Sequence, residues 1–154
     1  MKAFVLVHVG GKYLTTIINF PSNYGELYLN KVTDKVRQCV EENIPVYPLI
    51  PKTEKGEKDL PDSIKKYSLR PIPASPSPLQ YHVAMARLLN DGISFAEIGG
   101  VLRNGCVEEF SWVLNGSYRD GDLLVRCLRD IGYDTSKIHG RLTLPYKILE
   151  DLCL

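Results

Sequence analysis

Residues Ala3 to Val9, AFVLVHV, form an unbroken apolar run that carries His8 and is closed by Gly10-Gly11. A strand with one wet face alternates apolar and polar residues. This run does not alternate, so both of its faces must be covered. Sheets covered on both faces are mostly parallel, and parallel neighbours need crossover helices. The following residues supply one. Between Glu26 and Glu42 the apolar side chains Leu29, Val32, Val36, Cys39 and Val40 recur at helical spacing, which leaves one apolar stripe. Ile44 to Ile50, IPVYPLI, is a second apolar run, kept short by Pro45 and Pro48. The first fifty residues therefore predict strand, helix, strand: a right-handed βαβ unit.

The rest of the chain continues the pattern. Its 154 residues suit one domain, and an apolar fraction of 44% is enough for a core. Asp62 to Tyr67 predicts a short helix. Leu69 to Pro78 holds four prolines, and reads either as an extended crossover along the sheet edge or as an interdomain linker. A helix follows, with Ser77 as N-cap, Pro78 in its first turn and Gln80 completing a capping box. Its apolar stripe is Tyr81, Ala84, Met85, Leu88 and Leu89, and Gly92 fits the left-handed position after its end. Val107 to Leu114 and Asp122 to Ile131 predict further helices. Arg141 to Tyr146 alternates like a strand.

Composition excludes several classes. A net charge of +1 provides no global field for nucleic acid. The N-terminal apolar run is too short for a membrane span and lacks a signal-peptide cleavage site. Cys39, Cys106, Cys127 and Cys153 are widely spaced, so neither a zinc site nor a disulfide framework is expected. The glycine pairs lack dinucleotide-binding spacing, and no cofactor is expected. A soluble cytoplasmic protein with reduced thiols fits these features. Cys39 and Cys127 lie on helix stripes and are expected in the core, Cys153 in an incidental tail.

Cys106 stands apart. It follows Gly99-Gly100 by a few residues and directly precedes a predicted helix. A thiol at a helix N-terminus meets unpaired N–H groups and a positive dipole end, both of which favour the thiolate. The stretch is Gly100, Val101, Leu102, Arg103, Asn104, Gly105, Cys106, Val107. With the helix before it and the turn at Gly92-Ile93, it resembles the isochorismatase-like cysteine hydrolases. Their hallmark is a glycine and an aliphatic residue, then four residues, then Cys-Val.

That resemblance implies a three-layer α/β/α fold with a short, mostly parallel sheet. It also implies a cysteine nucleophile, an aspartate ending the first strand, a lysine after a middle strand, and self-association into dimers or larger oligomers. Cys106 takes the nucleophile's place. His8 fills the aspartate's place and is a candidate base, since imidazole titrates near neutrality. The lysine's place falls within Leu69 to Ser75, where Arg70 is the closest cation. Arg70, Lys12 and Arg103 are candidates for holding an anionic group of a small-molecule substrate. N–H groups near Gly105 and Cys106 are candidate oxyanion donors. A non-catalytic descendant of the fold, acting in binding or interaction, is the second reading.

A third reading parses residues 78–115 as a helix-turn-helix. Ser94 and Glu97 form a capping box that would start a helix at Phe95, and a glutamate is unusual in a buried strand. Against it, Gly99-Gly100 weakens such a helix by roughly 1 kcal/mol per glycine. The would-be recognition helix carries Glu108 and Glu109 and no cation for phosphates. The readings divide cleanly on whether residues 94–100 are extended.

Overall fold

The computed structural model describes residues 1–10, 24–50, 60–72, 80–116, 126, 129–130, 132 and 143–153. Strand β1 is Lys2–Val7, helix α1 Tyr24–Glu41, strand β2 Val46–Leu49 and helix α2 Asp62–Lys65. Helix α3 is Gln80–Asn90, strand β3 Phe95–Gly100, helix α4 Glu108–Leu114 and strand β4 Tyr146–Cys153. The four strands form one parallel sheet in the order β2-β1-β3-β4. Helices cover both faces, giving a three-layer α/β/α architecture.

The apolar run of β1 is explained by its central place. Ala3, Val5 and Val7 face one core with α3 and α4. Phe4 and Leu6 face the other with α1 and Ile64 of α2. Residues 3–7 have no exposed surface, as expected of a strand covered twice. Helix α1 starts earlier than its periodicity suggests, and buries Tyr28 rather than Leu29. The Tyr28 hydroxyl donates to the Leu152 carbonyl at 3.2 Å, which ties α1 to β4.

The proline-rich stretch resolves as an edge crossover where it is described. Arg70 N–H donates to Val46 O at 2.8 Å and Ile72 N–H to Pro48 O at 2.8 Å. Residues 70–72 thus run parallel to β2, and the carbonyl of Pro48 is satisfied although its nitrogen carries no proton. Residues 73–79, with the Ser77 cap, lie outside the described residues, as do Lys12, Cys127 and most of the predicted 122–131 helix.

Phe95–Gly100 is extended and pairs with β1 from Lys2↔Phe95 to Val7↔Gly100. This overturns the helix-turn-helix, whose first helix needed those residues. Glu97 is accommodated by charges from two other elements. Lys2 Nζ lies 2.8 Å and Lys35 Nζ 3.4 Å from its carboxylate. Burial opposes the charge on Glu97, but the bond from Lys2 and the field of Lys35 win, holding its pKa below the ordinary value. Gly100 is required by close approach. A Cβ there would lie 2.6 Å from Val7 O and 2.8 Å from Val107 Cγ2. Gly92 has φ 78, the expected left-handed exit from α3.

Two C-terminal expectations are corrected. The last strand is Tyr146–Cys153, and residues 143–145 of the predicted 141–146 strand lie outside it. Cys153 belongs to it and packs half-buried against the core, so it is no loose tail. Cys39 is buried, as its stripe position suggests. No described helix is long and apolar enough to cross a membrane.

Candidate active site

The chain passes from β1 to β2 on one side and then crosses back over β1 to β3 on the other, so strand order reverses between β1 and β3. Parallel sheets place ligands outside the carboxyl ends of strands at such a point. His8 follows the last residue of β1. Cys106 lies six residues beyond Gly100, in a wide turn, Arg103–Val107, that leads into α4. The Val107 N–H donates to Leu102 O at 3.1 Å and closes the turn. Asn104 and Gly105 depart from helical dihedrals, so the regular helix starts after Cys106. The thiol is half-buried against the core formed by α3, α4 and the sheet.

His8 is 4% exposed and has φ 55. A left-handed conformation outside glycine costs of order 1–3 kcal/mol, and such residues gather at functional sites. Its N–H donates to Leu49 O at 3.1 Å, extending the ladder beyond β1. Burial pulls the imidazole pKa down to about 4, partly offset by a hydrogen bond with the Gln80 side chain. At neutral pH the ring is uncharged.

Tyr81 joins the two residues. Its ring lies 5.9 Å from that of His8 and 5.8 Å from that of Phe110, centroid to centroid. Burial, and then the Cys106 thiol and the Glu109 carboxylate beside it, push its phenol pKa well above the ordinary value. Its hydroxyl oxygen is buried and forms no hydrogen bond of good geometry. The first turn of α3 therefore supplies two polar groups, Gln80 toward His8 and Tyr81 toward Cys106. The sequence gives Tyr81 only as a stripe residue and Gln80 only as a cap. The available signal was a single polar tip on an otherwise hydrocarbon stripe.

The other candidates do not gather here. Arg70 Nη1 donates to Tyr47 Oη at 3.1 Å and lies 4.0 Å from Asp91, beyond the C-terminus of α3. At 1.5 Å per residue that end is about 15 Å from Tyr81. Asp91 also accepts from Tyr47 at 2.7 Å and from Arg87 at 3.0 Å. Arg103 turns toward β4, its Nε 2.9 Å from Glu150. The Gly105 N–H is engaged inside the turn, donating to Leu102 O at 3.2 Å. A groove of about 620 Å³ lies on the other layer, between α1 and β4, lined by residues such as Lys35, Glu41 and Asp151. None of its lining residues belongs to the cluster around Cys106. No group of three or more metal-ligating side chains occurs among the described residues.

No family model and no curated protein matches the sequence. Solved structures do match in fold. One is an N-carbamoylsarcosine amidase from Thermoplasma acidophilum, at 12% identity and a TM-score of 0.54, covering 99% of this chain and 83% of that one. Another is an isochorismatase family protein, at 14% identity and a TM-score of 0.51, covering 95% of this chain and 97% of that one. The chain has an isochorismatase-like fold.

Proposed function

We propose that the protein is a divergent cysteine hydrolase acting on a small amide or related carbonyl compound, with Cys106 as nucleophile and His8 as its base. The observation that best supports this is the half-buried thiol in the turn before α4, beside the strand end that carries a buried, conformationally strained histidine. The sulfur attacks the carbonyl carbon and a thioester forms. The S–H proton passes by way of His8 to the departing nitrogen as the C–N bond breaks. Water then cleaves the thioester, releasing the acid and restoring the thiol. With its pKa near 4, His8 is no resting imidazolium. It takes the proton as the sulfur–carbon bond forms.

The low basicity of His8 also favours the second reading, a non-catalytic binding or interaction protein on the same fold. Ammonia release separates the two. The purified protein is offered small primary amides and N-carbamoyl amino acids, the latter chosen from the amidase neighbour. Turnover that disappears in Cys106→Ala supports the hydrolase. No turnover, with a Cys106 thiol that alkylates no faster than free cysteine, supports the binding protein.

A further inference from the structure

We propose that the Tyr81 hydroxyl is the hydrogen-bond donor that holds the Cys106 sulfur whenever it carries negative charge, as attacking nucleophile and as departing thiolate. This rests on Cys106 being the nucleophile and adds the group that steadies it. Three observations carry it. Tyr81 is 6% exposed and its ring packs between those of His8 and Phe110, which holds the hydroxyl inside the cluster. That hydroxyl is buried and makes no hydrogen bond of ordinary distance and angle, an arrangement costly enough that a purely structural core position is better filled by phenylalanine. Cys106 packs against the same buried cluster as Tyr81 and Phe110, and the Cys106 thiol and Glu109 carboxylate are the groups that act on the phenol.

The chemistry is suited to the task. A phenol kept protonated by burial is a donor across the neutral range. A bond from a neutral donor to an anion is among the stronger ones available in a dry site. Hydrogen bonds at catalytic centres are often long or poorly aligned before substrate arrives, which matches a hydroxyl alongside the thiol without ordinary bonding geometry. The two candidate cations among the described residues are engaged elsewhere: Arg70 with Tyr47 and Asp91, Arg103 with Glu150. Tyr81 thus does without charge what a lysine would do with it.

The test is the pH dependence of iodoacetamide alkylation at Cys106 in the full chain, with Cys106→Ala to assign the signal and ultraviolet thiolate absorbance as a second readout. Tyr81→Phe keeps the ring and removes only the donor. The expected result is a midpoint about one unit higher and about tenfold slower alkylation at pH 7, with Glu109→Gln as fast as wild type or faster. A Tyr81→Phe profile within twofold of wild type, while wild-type Cys106 still outpaces free cysteine, overturns the proposal and leaves the nucleophile standing. A wild-type thiol no faster than free cysteine overturns the nucleophile, and the proposal with it.

Discussion

His8 is the residue on which chemistry and stability meet. Unfolded, its imidazole takes a proton near pH 6.5; folded, only near 4. Between those values the unfolded chain binds more protons, so acid favours unfolding. The stability that neutral His8 contributes is complete above pH 6.5 and is lost as pH falls toward 4. About 2 kcal/mol should be gone by pH 5. Urea midpoints at pH 7 and pH 5 measure this, and His8→Asn, which tolerates the same backbone twist, should flatten the slope. A slope unchanged in His8→Asn would show that the dependence comes from elsewhere. The left-handed φ also explains the residue type. Asparagine, aspartate and histidine enter that region more readily than other side chains. An imidazole at this strand end respects the backbone.

At the scale of elements, β3 and its turn show how far the sequence could be read. The double-faced run of β1, the stripes of α1 and α3 and the glycine after α3 were all legible, because each is a local pattern. Glu97 was not, since the lysines that neutralise it come from β1 and α1. Strand β4 was missed because its register breaks: Ile98 pairs with Ile148, and Gly100 with Cys153. Five positions of β4 there face two steps of β3, so no clean alternation survives. Tyr81 was visible only as an apolar stripe residue, since its unformed hydrogen bond is a tertiary fact. Arg70 was legible as a cation, but where its guanidinium points depends on Tyr47 and Asp91. The glycine pair in β3 makes the sharpest prediction. Gly100→Ala drives a Cβ against Val7 O and Val107 Cγ2. It should cost at least about 2 kcal/mol in chemical denaturation, because the backbone atom cannot swing aside. An unchanged denaturation midpoint would contradict the packing of the turn against β1.

For the molecule as a whole, the sheet has two rims with different duties. The carboxyl rim carries His8, Tyr81 and Cys106. The amino rim carries bracing: Lys2 and Lys35 on Glu97, the Met1 amino group on Ser94, and Tyr47, Arg70 and Arg87 on Asp91. Asp91→Ala would leave the Tyr47 O–H without its acceptor, although Arg70 still donates to the oxygen, and should cost about 1–3 kcal/mol of stability. The Cys106 alkylation rate should stay unchanged, because a helix length separates the two places. Thermal unfolding and alkylation of the same variant check both halves, and a changed alkylation rate would show that the rims are coupled. Combined with Tyr81→Phe, the effects should add, as they do for distant sites without shared partners. A scaffold divided in this way lets the residues of its reactive edge vary while the opposite edge keeps the architecture upright, so side chains there can be exchanged without the strands losing their order.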